Sequence, residues 1–182
     1  MQFRRTRLNG PILVEPQVFR DDRGFFLETF RRDQYTAAGI DAEFVQDNHS
    51  RSLRGTVRAF HFQAEPGQPK LVRVARGQAW DVVVDVRRSS PTFGEWESFE
   101  LDDERNLQLY VPIGFAHGFC VMSDVVDFVY RVGSYYEPDT ERGIAWDDPE
   151  LAIPWPVDEP RVSPRDKTNP TLDQIRETLP AW

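Results

Sequence analysis

A mainly β protein, built as a barrel or sandwich of short strands, is the fold class this sequence predicts. Three observations point there. Short runs rich in Val, Phe, Tyr and Trp recur along the 182 residues, and several alternate apolar with polar. Breakers separate the runs: Glu65-Pro66-Gly67, Arg76-Gly77, Ser89-Ser90-Pro91, Pro112-Ile113-Gly114 and Ser123-Asp124. Convincing helical stretches are few and short. Many short strands at close spacing either close into a barrel or stack as a sandwich. There is no repeat of fixed period, and the length suits one domain over residues 1–182 with terminal arms.

In chain order, the first helical stretch is Arg31 to Ala38, ended by Gly39. Strands are expected at Phe44 to Gln46, Thr56 to Gln63, Leu71 to Ala75 and Ala79 to Val86. More are expected at Trp96 to Leu101, Leu107 to Val111, Gly118 to Met122 and Val125 to Val132. The stretch from Ile153 to Pro170 carries five prolines and reads as an ordered arm laid over the surface. Thr171 to Leu179 reads as a short C-terminal helix, with Thr171 or Asn169 as cap and Pro180 as stop.

Composition narrows the chemistry. A single cysteine, Cys120, excludes an intrachain disulfide framework and a cysteine-based zinc site. The net charge of −8 argues against nucleic-acid binding, although a local arginine cluster can still hold a small anion. No apolar run is long enough to cross a bilayer, and none follows the N-terminal arginines, so neither a membrane span nor a secretory signal is expected. A cytoplasmic location is the expectation. Only two of the 22 basic residues are lysines, Lys70 and Lys167, and the three histidines are His49, His61 and His117.

Four sites hold candidates for chemistry. In Arg58 to Gln63, alternation sends Phe60 and Phe62 one way and His61 and Gln63 the other. The phenylalanines belong against a core, so His61 would project into a cavity. There it is either a satisfied half-buried ring or a general base working near neutral pH. Lys70 opens a strand, as an edge lysine or as a cation able to steady an enolate or a phosphate. His117 sits between Gly114 and Gly118 as a ligand, a catalytic partner or a turn residue. Tyr130 shares a face with Phe128, which suits packing or an acid at a site. A metal centre would need His49 and His117 to converge on His61, because the strand supplies His61 and Gln63 rather than two histidines; no metal or other cofactor is expected.

Several segments together resemble the dTDP-4-dehydrorhamnose 3,5-epimerase family of cupin-fold sugar-nucleotide epimerases. They are Asp21 to Glu28, Phe44 to Ser50, Arg58 to Gln63, Lys70 to Val74, Ser89 to Gly94, Gly114 to Phe119, Tyr135-Tyr136, Arg142 to Ile144 and Ser163 to Asp166. Their order matches, and they span about Val14 to Asp166. The resemblance implies a cupin jelly-roll barrel, a homodimer, no required metal, and a dTDP-linked 4-keto-6-deoxy sugar inverted at carbons beside the ketone. It implies His61 as base, Asp166 as its partner, Lys70 at the enolate oxygen and Tyr130 as the acid on the opposite face. It places Arg23, Phe26, Glu28, Gln46, Asn48, Arg58, Asp81, His117 and Tyr136 at substrate-binding positions. Ala59 and Phe60 stand where the family usually has Gly and then Leu, Ile or Met. Either can shift the sugar against His61, which leaves open whether one or both carbons invert. A keto-isomerase and a non-catalytic nucleotide-sugar-binding cupin are the other readings.

Overall fold

Fourteen strands and a few short helical turns make up the computed structural model, which describes residues 1–182. Along the first half run β1 (Gln2–Arg5), β2 (Ile12–Glu15), β3 (Val18–Asp21), β4 (Gly24–Leu27), β5 (Gln46–Leu53), β6 (Thr56–Gln63), β7 (Lys70–Arg76) and β8 (Gln78–Asp85). Then come β9 (Trp96–Asp102), β10 (Gln108–Val111), β11 (Phe115–Val121), β12 (Val125–Val132), β13 (Glu141–Gly143) and β14 (Arg161–Val162). One sheet has the order β1-β2-β10-β7-β12-β5, and the other β13-β6-β11-β8-β9 with β14 added on β6. All pairings are antiparallel except β14 on β6. Strands β3 and β4 form a separate hairpin. This is a jelly roll: two antiparallel sheets face to face, with crossovers between them.

Alternation along each strand sorts side chains into layers. Val72 and Val74 of β7, Val83 of β8, Phe119 of β11 and Phe128 of β12 point between the sheets and form the inner core. Phe119 and Phe128 stack face to face across that gap, 4.1 Å between centroids and 1° from parallel. Each fully buried side chain of this kind contributes roughly 1.5–3 kcal/mol of transfer free energy. The alternate residues Val82, Val84, Phe60 and Phe62 face outward, under a cover made by the C-terminal arm and its tryptophans. A third cluster seals the outside of the first sheet, where Tyr35 and Ile40 pack on Ile12 and Val14.

The helices follow local chemistry. Helix α1 (Arg32–Ala37) ends at Gly39, whose φ of +86° is the left-handed conformation glycine adopts readily. Helix α2 (Leu172–Ile175) starts at Thr171, which forms a complete capping box with Gln174. Thr171, not Asn169, is therefore the cap, and the helix relaxes into a 3-10 turn at Arg176–Thr178. No helix is long and apolar enough to cross a membrane.

Several elements differ from the sequence reading. The expected strand at Phe44 to Gln46 instead begins at Gln46 and continues to Leu53. Its residues are polar on both faces, since one side meets solvent and the other a polar cavity, so no hydrophobic alternation marks it. The short strands β1 to β4, β13 and β14 were not expected. His117 lies inside β11, which begins at Phe115, and is not a turn residue.

Strand β6 also breaks strict alternation. His117 pairs with His61, but Phe119 pairs with Arg58, so three steps on β6 match two on β11. This is a β-bulge at Ala59 and Phe60, and it re-aims the residues before it. Arg58, His61 and Gln63 consequently all face the interior, while Val57, Ala59, Phe60 and Phe62 join the outer cluster.

Candidate active site

At one end of the barrel the inner core gives way to a cavity of about 320 Å³. The first sheet contributes Gln46, Asn48, Lys70 and Tyr130, and the second contributes Arg58, His61 and His117. Phe119 and Phe128, the stacked pair, line it too.

His61 and His117 stand directly opposite each other on β6 and β11. Each ring is held through Nε2 by its own aspartate. His61 Nε2 lies 2.7 Å from Asp166 Oδ1, and His117 Nε2 lies 2.8 Å from Asp81 Oδ2. A carboxylate only accepts, so each Nε2 carries the proton and Nδ1 is left as the basic ring nitrogen. Asp166 comes from the proline-rich arm. Its backbone N–H donates to Ser163 Oγ at 3.0 Å, which winds the chain so that the carboxylate turns under His61.

Lys70 and Tyr130 occupy the facing wall. Lys70 pairs with Val132 and Tyr130 with Val72, so their side chains are diagonal neighbours on the inner face of the first sheet. Lys70 Nζ donates to the His61 carbonyl at 3.2 Å, which ties the two walls together. Burial pulls the Lys70 ammonium down to about 8, against the opposing pull of Glu141 and Asp81. Burial also pushes the Tyr130 phenol up, so it keeps its proton at neutral pH.

The mouth carries a polar frame. Arg58 Nε donates to Ser52 Oγ at 3.0 Å, and Gln46 Nε2 donates to Asn48 Oδ1 at 2.9 Å. Glu141, which no motif singled out, accepts from the Tyr136 hydroxyl at 2.6 Å and pairs with Arg165 at 2.6 Å. Arg165 directly precedes Asp166, so Glu141 links the rim of the cavity to the segment behind His61. It was hidden because Tyr136, five residues away, follows no periodic pattern with it, and Arg165 lies 24 positions along the chain. Position 141 opposite Gln63 in the β13–β6 pair is the signal that reveals it.

Not every expected residue lies here. Arg23 and Phe26 line a separate surface hollow on the β3–β4 hairpin, and Glu28 follows that hairpin. Phe26 is 70% exposed. Asp81 is fully buried behind His117 and does not line the cavity. His49 sits on the outer face of β5, where it pairs with Asp127. No group of three or more His, Cys, Asp or Glu side chains is arranged to hold a metal. Ala59 and Phe60, the two departures that left open how the sugar sits against His61, are both fully buried in the outer cluster and touch the cavity with neither side chain.

A jelly-roll barrel enclosing a histidine–aspartate pair, a buried lysine and a tyrosine around one polar cavity defines a cupin-type enzyme of the epimerase class. Residues 5–174 match the family model described as dTDP-4-dehydrorhamnose 3,5-epimerase, and the chain belongs to that family. It is 48% identical over 168 residues to the dTDP-4-dehydrorhamnose 3,5-epimerase of Shigella flexneri, covering 91% of this chain and 93% of that one. It is 41% identical to the dTDP-4-dehydrorhamnose 3-epimerase of Streptomyces niveus, over 100% of this chain and 90% of the other. Among solved structures, the dTDP-6-deoxy-D-glucose-3,5-epimerase of Legionella pneumophila, bound to dTDP-4-keto-L-rhamnose, superposes with a TM-score of 0.95. That pair is 42% identical and covers 100% of this chain and 98% of the other.

Proposed function

We propose that the protein inverts C3 and C5 of dTDP-4-dehydro-6-deoxy-D-glucose and yields dTDP-4-dehydro-L-rhamnose. The observation that carries this reading is the opposition of the His61–Asp166 pair to Lys70 and Tyr130 within one cavity. A proton beside a ketone becomes removable only when the resulting enolate is stabilised. His61 Nδ1 takes that proton, and Asp166 steadies the imidazolium that forms. Lys70 places its ammonium at the ketone oxygen, where such a donor is worth about 10²–10³ in rate. Tyr130 gives a proton to the carbon from the opposite face, and the configuration inverts. Arg58 suits the diphosphate through its planar fork, with Gln46, Asn48, His117 and Tyr136 around the rest of the nucleotide sugar.

The protein works in this reading as a single cupin-type unit over 1–182, paired as a homodimer in the cytoplasm, with no call on nucleic acid. Pairing supplies the groups that one chain holds apart. Arg23, Phe26 and Glu28 ride on an exposed hairpin with Phe19 and Phe25 also uncovered, which suits a hairpin that reaches into the cavity of a second copy.

The test is turnover of dTDP-4-keto-6-deoxyglucose in deuterium oxide, read by mass spectrometry and proton NMR. Deuterium at both C3 and C5 is the expected result. Label at C3 alone selects a second reading, a single-centre epimerase, which the similarity to the Streptomyces niveus 3-epimerase favours. Tight binding without exchange at either carbon overturns the enzymatic reading.

A further inference from the structure

Asp81 sits on β8 with its whole side chain out of solvent, flanked on the same face of the strand by Ala79 and Val83. One oxygen holds His117 Nε2 at 2.8 Å. The other, Oδ1, is buried and has no hydrogen-bond partner. A half-satisfied carboxylate among apolar neighbours is costly to bury, so packing alone does not account for it. The cavity side does. His117 lines the cavity in front of Asp81, and Lys70 lines the same cavity.

We propose that Asp81 is a positioning residue for the reaction: it never meets the sugar, but it fixes the His117 ring at the cavity wall and places a buried negative charge behind it. This rests on the epimerase reading above. The groups that face Lys70 are Glu141 from β13, Asp81 from β8, Arg58 and His61 from β6, His117 from β11 and Tyr130 from β12. Burial lowers Lys70, and Glu141 and then Asp81 oppose that lowering. With the charge of Asp81 removed, Glu141 alone resists burial, and Lys70 gives up its proton at a lower pH.

Asp81→Asn keeps the volume and removes the charge. The expected result is a kcat lower by about 10–100-fold, by analogy with the loss of a carboxylate partner behind a metal-ligating histidine, with KM little changed. The alkaline limb of the kcat–pH profile should move to lower pH. Wild-type kcat with an unmoved limb overturns the proposal, as does a lower kcat that only follows loss of folded protein. A measurement on the wild-type protein does not depend on the variant folding. Nitrogen-15 NMR should find His117 protonated at Nε2 throughout the active pH range, and a bare Nε2 overturns the proposal. Wild-type deuterium exchange runs alongside, so a failure of the epimerase reading shows itself separately.

Discussion

Gly118 and Ala59 meet across the β6–β11 pair with no space between them: a Cβ built on Gly118 would stand 2.5 Å from the Ala59 Cβ and 3.0 Å from the Arg58 carbonyl oxygen. The bulge that turns both Arg58 and His61 into the cavity therefore requires glycine on the facing strand. Gly118→Ala is expected to cost about 1–3 kcal/mol, the usual penalty of overpacking a close contact. Chemical denaturation measures it, and turnover should fall with it because Arg58 and His61 flank the strained point. Ala59→Gly should leave turnover near wild type, since Ala59 faces away from the cavity.

Removing the base has a distinct signature. His61→Asn should lower kcat by about 10²–10⁴ while leaving nucleotide affinity largely intact. Asp166→Asn keeps the shape but accepts no extra positive charge on His61, so it should lose exchange as well. Solvent-deuterium incorporation together with calorimetric binding of dTDP separates the two effects. Full exchange in either variant would assign the proton transfer elsewhere.

The pH dependence follows from Lys70. Burial brings its ammonium down to about 8, and in the proposed reaction the ammonium is the form that stabilises the enolate. Activity is therefore present below that value and lost as pH rises through it. An alkaline limb near pH 8 in kcat is expected. Lys70→Gln should flatten that limb and lower the plateau by about 10²–10³.

A mixing experiment tests the hairpin. A double variant, Arg23→Ala with Phe26→Ser, should raise KM while each subunit still folds, because both side chains are exposed within their own chain. Mixed with His61→Asn and allowed to exchange subunits, it should regain activity. In a mixed dimer one cavity then carries both defects and the other neither. No recovery would mean that each hairpin serves its own chain.

Cys120 should be silent in the folded protein. It is fully buried and its thiol is pushed up to about 11 by burial, so little thiolate exists at neutral pH. Thiol reagents are expected to label it only as fast as the barrel opens, which makes labelling a clock for unfolding.

The strands that carry chemistry were legible where apolar and polar residues alternate. The pattern around His61 put its ring and Gln63 on the inner face and Phe60 and Phe62 on the outer; His61 and Gln63 do line the cavity and both phenylalanines join the outer cluster, with Phe62 also touching the cavity edge. Arg58 was not legible from alternation, because a bulge is set by the facing strand and leaves no mark on its own. The strand after Gln46 was not legible either, since a strand between water and a polar cavity has no apolar side. Thr171 and Gly39 were readable because caps and turns act over three or four residues. Glu141 and Arg165 meet only through the tertiary fold, 24 positions apart, and no local pattern foretells that.

The stacked rings of Phe119 and Phe128 come one from each sheet and form the floor beneath the cavity. They act as a rivet: with 4.1 Å between their centroids, they join the sheet that carries His61 to the sheet that carries Tyr130 at the edge of the cavity. Loosening either ring is expected to loosen both walls together.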